Sequence, residues 1–155
     1  MKKSDIELFE KMRVAGKLAA KTLDELTTFI KPGITTNFLD KICYEYIKDH
    51  GGNSAPLYYR GFPKSCCTSP NHTVCHGIPS EKILEDGDIM NVDVTAFIDE
   101  HHGDTGRMFC VGDVSVKSKN LISVTYESMM KAISIIKPGI KLGDIGATIQ
   151  DYVEL

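Results

Sequence analysis

The sequence predicts an α+β chain built as a repeated unit, with the first copy complete and the second cut short. Three observations predict it. Two segments near the N-terminus carry apolar residues at helical spacing. A β-rich stretch, Met90 to Phe109, follows them. The first helical pattern then returns late in the chain. Ile30-Lys31-Pro32-Gly33-Ile34 recurs as Ile136-Lys137-Pro138-Gly139-Ile140, an offset of 106 residues. At that offset Leu39 matches Ile145, Cys43 matches Ile149, Tyr46 matches Tyr152 and Ile47 matches Val153, while Leu23 matches Met129. Repeat one therefore covers about residues 1–113 and the start of repeat two about 114–155. Leu155 corresponds to Asp49, so the second copy ends before it reaches its strands.

The elements follow in order. Ser4-Asp5-Ile6-Glu7 has the spacing of a capping box, and a stripe of Ile6, Met12, Ala15, Ala19, Leu23, Leu26 and Ile30 marks the first helix. Lys31-Pro32-Gly33 stops it. A second helix starts near Thr35 or Thr36, carries Leu39, Ile42, Cys43, Tyr46 and Ile47, and ends at Gly51-Gly52. Ala55 to Thr73 is aromatic, Pro-rich and Cys-rich, and reads as short strands and loops. Lys82 to Asp88 is a charged connection ending in the turn Glu85-Asp86-Gly87. A third helix is expected from about Ser118 to Ile136; its methionines read as core filler.

The Met90–Phe109 stretch reads as a hairpin with Asp99 and Glu100 at its turn. Residue 98 then pairs with 101, 95 with 104 and 93 with 106. Asp93 and Asp104 share a face on neighbouring strands, with Cα atoms roughly 7–8 Å apart. Two carboxylates so close repel unless a cation lies between them or one is protonated. A hard divalent metal, or a pair, resolves the repulsion. The competing reading is a water-facing edge strand, and a slip of one residue would put the two acids on opposite faces.

Net charge is −3, which indicates no general attraction to nucleic acid or anionic membrane. No apolar run approaches the roughly 18 residues of a spanning helix. The N-terminus leads into a charged amphipathic segment and not an apolar signal core. Five cysteines (Cys43, Cys66, Cys67, Cys75, Cys110) without such a signal indicate reduced thiols and a cytoplasmic protein. Among the histidines, His76 sits at a strand end beside Gly77-Ile78-Pro79. It is placed to hydrogen-bond a substrate carbonyl or amide or to shuttle a proton; a ring bonded to a backbone group is an equal alternative. His72 and His101 read as solvated, His50 as a helix-end cation, and His102 as a residue orienting Asp104. Tyr58 to Cys67 mixes aromatics, Pro and thiols, a composition suited to a small apolar pocket or to core packing. There is no Gly-rich phosphate loop and no G-x-S-x-G elbow.

Lys64-Ser65, Asn71, Val74-Cys75-His76-Gly77-Ile78-Pro79, Gly87-Asp88-Ile89, Asn91-Val92-Asp93-Val94-Thr95 and Gly103-Asp104-Thr105 together resemble type I methionine aminopeptidases of the compact bacterial kind. The resemblance covers the whole chain but only the first part of the family's length. It implies a pita-bread fold, in which two related αβ halves enclose a dinuclear metal site. By resemblance, Asp93 is a ligand of one metal, Asp104 bridges both, His76 contacts the substrate near the scissile bond, and Tyr59, Phe62 and Cys67 line the methionine pocket. In that family two divalent cations (Mn, Fe, Co or Zn) activate the water that attacks the first peptide carbonyl. One further His ligand, two Glu ligands and a second catalytic His come from the part of the family beyond this chain's length. Glu100 stands where a turn Gly is usual, Gly106 where Ser is common and His72 where an acidic or hydrophobic residue is usual. The first two are positioned to loosen the hairpin register.

The expected function is removal of the initiator methionine from nascent proteins near the ribosome, when the next residue is small. The resemblance implies a cytoplasmic, usually monomeric metallo-exopeptidase with no nucleic-acid or membrane partner. With two carboxylates and no other ligands, this chain is expected to bind metal weakly and to be inactive alone. A catalytically silent peptide- or partner-binding module is the alternative, and assembly of two fragments into one site is a third possibility.

Overall fold

Apolar residues three and four apart drive the first helix, as expected. In the computed structural model, which describes residues 3–154, α1 spans Lys3–Thr27. It buries Ala15, Leu18, Ala19, Leu23 and Leu26. Thr22 is also buried and returns its hydroxyl to the Leu18 carbonyl at 2.9 Å. Two details depart from the sequence reading. The helix is already formed at Lys3, so Ser4 lies within its first turn and is not the cap. Ile6 and Met12 are exposed, because the sheet reaches only the later turns of the helix.

The next helix, α2 (Thr36–Asp49), is capped by Thr35, whose hydroxyl accepts from Phe38 N–H at 3.1 Å. The N–H groups of Thr36 and Asn37 donate to the carbonyls of Lys82 and Ser80, at 3.0 and 2.9 Å. The first turn is thus tied to the segment leading into the sheet. Leu39, Cys43 and Ile47 are completely buried, on one face at helical spacing. Gly51, at φ 80°, reverses the chain just beyond the helix end.

The sheet has four antiparallel strands: β1 (Asn53–Ser54), β2 (Cys67–Pro70), β3 (Ile89–Ile98) and β4 (His101–Cys110). Strand β3 is central. One edge takes β1 and β2, with Asn53 opposite Phe97 and Cys67 opposite Asp93, and the other takes all of β4. The register is the expected one, Ile98 with His101, Thr95 with Asp104 and Asp93 with Gly106. Ten pairs run without a bulge, so neither Glu100 nor Gly106 loosens the ladder. Asp99 and Glu100 both turn with positive φ, 49° and 64°.

Alternation on β3 sends Met90, Val92, Val94 and Ala96 into a core shared with Leu18, Leu23 and Leu26 of α1 and Leu39, Cys43 and Ile47 of α2. Each large aliphatic side chain buried there contributes roughly 1.5–3 kcal/mol. Gly103 lets α1 approach β4 closely: a Cβ at that position would stand 2.1 Å from the Ala15 carbonyl carbon and 2.2 Å from Gly16 N. Asn71 and Asp88 staple the loop before β3. Asn71 Nδ2 donates to Asp88 Oδ1 at 2.8 Å, Ile89 N–H donates to Asn71 Oδ1 at 3.1 Å, and Glu85 N–H donates to Asp88 Oδ2 at 3.0 Å.

The chain divides into two compact units, Met1–Val114, which holds these elements, and Ser115–Leu155. The second holds α3 (Val116–Ser134) and α4 (Leu142–Val153). Helix α3 starts two residues before the expected Ser118, because Ser115 caps it, and stops two before Ile136. The Tyr152 hydroxyl of α4 donates to Glu127 of α3, and Lys131 Nζ sits 4.7 Å from the Tyr152 ring centre. The Lys-Pro-Gly turns adopt matching backbones: Gly33 has φ 95° and Gly139 has φ 96°. Thr35 and Lys141, which precede α2 and α4, have φ/ψ of −93°/154° and −95°/153°.

Candidate active site

The face of β3 opposite the core carries Asn91, Asp93, Thr95 and Phe97, all half-buried. Pairing puts Cys67 of β2 directly across from Asp93, and Asp104 of β4 across from Thr95. Directly paired residues share a face, so one surface of the sheet gathers two carboxylates and a thiol. Thr95 Oγ1 donates to Asp104 Oδ1 at 3.1 Å. His102 was expected to orient Asp104. Its ring lies instead against Phe97, the centroids 4.7 Å apart, and the carboxylate takes its hydrogen bond from Thr95.

This face forms the floor of a cleft of about 800 Å³. Asp93, Thr95, Asp104, His102 and Cys67 line the floor. The rest of the lining comes from Ala55, Pro56, Tyr59 to Pro63, His76 and Ile78. All six residues singled out from the sequence, Tyr59, Phe62, Cys67, His76, Asp93 and Asp104, therefore line one cavity. Tyr59 is mostly exposed and begins a single 3-10 turn, Tyr59–Gly61, flanked by left-handed Tyr58 (φ 68°). Sequence reasoning missed Thr95, Ala55, Pro56 and Ile78 as lining residues. Thr95 was recoverable, since it lies on the Asp93 side of the alternating strand.

His76 sits in the left-handed region, at φ 53°. For a non-glycine residue this costs on the order of 1–3 kcal/mol and persists only where neighbours impose it. The neighbours are visible. Thr68 N–H donates to the Gly77 carbonyl at 2.9 Å, and Gly77 N–H donates to Ser69 Oγ at 3.2 Å. A Cβ on Gly77 would meet the Thr68 carbonyl oxygen at 2.1 Å. The backbone beyond His76 is thus pressed onto β2, and the ring is turned into the cleft.

The electrostatics agree with two crowded acids. Partial burial and the facing Asp104 carboxylate push the Asp93 carboxyl above its ordinary value, against the pull of the nearby His76 ring. Burial, with Asp93, Cys75 and Asp104 close by, pushes the Cys67 thiol up to about 11. Such a thiol stays protonated at neutral pH and lines the cleft as a small apolar group. Cys66 is completely buried; contact with Cys43 and burial hold its thiol well above the usual range. Among the described residues no group of three or more His, Cys, Asp or Glu is placed to hold a metal ion. Asp93 and Asp104 are hard oxygen donors whose mutual repulsion a divalent cation would relieve, so they fit one as part of a donor set.

Comparison with known proteins gives a consistent picture. Residues 10–155 match metallopeptidase family M24. The chain is 58% identical over 146 residues to the methionine aminopeptidase of Rickettsia prowazekii, covering 94% of this chain and 56% of that protein. It is 50% identical over 150 residues to that of Escherichia coli K12, covering 96% and 57%. The chain thus spans little more than half the length of the curated relatives it matches. Among solved structures it superposes on the Rickettsia prowazekii methionine aminopeptidase with a TM-score of 0.93, covering 94% of this chain and 59% of that one. The Thermotoga maritima methionine aminopeptidase gives a TM-score of 0.92 at 38% identity, covering 99% and 61%. The prolidase of Pyrococcus furiosus shares the fold, with a TM-score of 0.81 at 21% identity, covering 99% and 43%.

Proposed function

The chain belongs to metallopeptidase family M24, and from that premise we propose that it forms the amino-terminal part of a methionine aminopeptidase. Its fold is the pita-bread fold of that family. The proposed reaction is hydrolytic removal of the initiator methionine from nascent chains whose second residue is small. Residues 1–113 form repeat one in this reading and 114–155 begin repeat two. The matching backbone at Gly33 and Gly139 supports it.

One observation carries the assignment. Two carboxylates, Asp93 and Asp104, crowd together on the floor of a cleft that also presents a histidine and an apolar wall. The carboxylates would hold divalent metal, which when bound supplies Lewis-acid polarisation of the peptide carbonyl. Tyr59, Phe62 and Cys67 take the unbranched thioether side chain of methionine. The protonated Cys67 thiol suits that role, because a soft neutral sulfur costs little to desolvate against another. His76, fixed by its strained backbone, hydrogen-bonds the substrate beside the scissile bond. The metal is one of Mn, Fe, Co or Zn.

In this reading the protein acts in the cytoplasm close to the ribosome, where nascent chains emerge, and the monomeric state is taken from the family resemblance. The charge of −3 fits with no nucleic-acid partner. Among the described residues no helix is long and apolar enough to cross a membrane.

Calorimetric titration with Mn²⁺ and Co²⁺, together with methionine release from a Met-Gly-Met peptide, tests the proposal. The chain alone is expected to bind metal weakly and to release no methionine. Adding a polypeptide that supplies the rest of the relatives' length should bring release. Metal binding that survives both Asp93→Asn and Asp104→Asn would overturn the assignment.

A further inference from the structure

Outside the cleft, on α2, one carboxylate gathers more hydrogen bonds than any side chain within it. Asp40 Oδ1 accepts from Ser65 N–H at 2.7 Å, from Ser65 Oγ at 2.7 Å and from Cys66 N–H at 3.2 Å. The Cys66 thiol lies 3.8 Å from the same oxygen. The Asp40 main-chain carbonyl is 3.0 Å from Ser65 Oγ, and Lys64 Nζ stands 3.8 Å from Oδ2. The Asp40 side chain is 13% exposed, so these interactions are little screened by water. A carboxylate held by backbone N–H groups and a hydroxyl is a charge-assisted anchor, roughly twice as strong as a neutral one.

The place of the anchor gives it a functional reading. It grips Lys64, Ser65 and Cys66 in succession. The residues just before, Phe62 and Pro63, line the cleft, and so does the residue just after, Cys67. Cys67 is in turn paired in the ladder with Asp93. A shift of the gripped segment therefore moves the apolar wall from both its ends. Sequence spacing gives no hint of this, because the partners are 25 and 26 residues apart.

We infer that Asp40 is a positioning residue for the specificity pocket, setting the distance between Phe62 and Cys67 and so the pocket's selection of a long unbranched side chain. This rests on the reading of the cleft as the methionine pocket. It predicts that Asp40 governs side-chain selection while metal binding at the floor persists without it.

The test uses the full 155-residue chain. Amide shifts of Phe62 and Cys67 are followed in NMR titrations with methionine amide and with alanine amide, and Mn²⁺ affinity is measured in parallel. The wild-type chain should prefer methionine amide. Asp40→Ala should weaken methionine amide binding on the order of 10- to 100-fold, the scale at which an apolar pocket discriminates by a single methylene contact. It should leave alanine amide binding and Mn²⁺ affinity unchanged. Asp40→Asn keeps an acceptor oxygen and should fall between the two. If Asp40→Ala does not fold, Ser65→Ala, which removes only the hydroxyl, carries the same test with a smaller loss of preference.

A variant that loses stability yet keeps the wild-type preference would show a merely structural clamp and overturn the inference. A wild-type chain without preference would remove the pocket reading, and the inference would fall with it.

Discussion

Asp93 occupies a strand whose other face is sealed by Met90, Val92, Val94 and Ala96, so the acid has only the cleft to face. Burial and Asp104 raise its folded-state pKa above the ordinary value of 3.8. A raised carboxyl binds its proton more tightly in the folded chain than in the unfolded one. The stability this contributes is complete below the unfolded value and is lost as pH rises through the raised value. In metal-free solution the urea midpoint of the wild-type chain should therefore fall as pH climbs through that window. Asp93→Asn should flatten the fall and stabilise the chain at neutral pH by about 0.5–1 kcal/mol, a figure reduced for the half-exposed setting. Adding Mn²⁺ should raise the wild-type midpoint and leave that of the variant where it was. Asp93 could be read from sequence because an acid between two valines is locally discordant. Asp40 could not, because an acid on a helix is ordinary and its partners are brought to it only by folding.

At the scale of elements, the register and turn of the β3–β4 hairpin were legible to the residue, while its outer ends reach one residue further, to Ile89 and Cys110. Strict alternation fixes which face is buried, and a slip of one residue would bury Asn91, Asp93 and Thr95. Its turn was less orthodox. Asp99 and Glu100 both adopt left-handed backbone, which costs a non-glycine residue about 1–2 kcal/mol. Glu100→Gly is expected to stabilise the chain by about 1 kcal/mol, read as a higher urea midpoint with unchanged slope. Helix ends were the weakest part of the reading. Ser4 lies inside α1 and α3 ends at Ser134, because capping depends on where tertiary contacts stop and not on the nearest suitable residue. Ile6 and Met12 fit the helical period but stay exposed, since periodicity says which face a residue lies on and not how far the sheet extends beneath it.

At the scale of the whole molecule, the repeat seen in the sequence reappears in the backbone of the two Lys-Pro-Gly turns but not in the burial of the helices they join. Leu39, Cys43 and Ile47 of α2 are fully enclosed, whereas no residue of α4 is buried and Leu142 and Val153 are exposed. In the first unit the helices have a sheet to cover; the second unit is a helix pair, which cannot enclose its own apolar stripe. The first unit shows what such a seat achieves. At Gly103 the missing Cβ lets the α1 backbone rest on β4 within van der Waals contact of Ala15 and Gly16. Surfaces in that contact cannot part piecemeal. Amide hydrogens of α1 from Ala15 to Leu26 and those of β4 that are bonded to β3 should therefore exchange with solvent deuterium as one cooperative block, with a shared opening free energy. Mass spectrometry of deuterated fragments would record this as a single step in uptake, and separate steps for helix and strand would refute it.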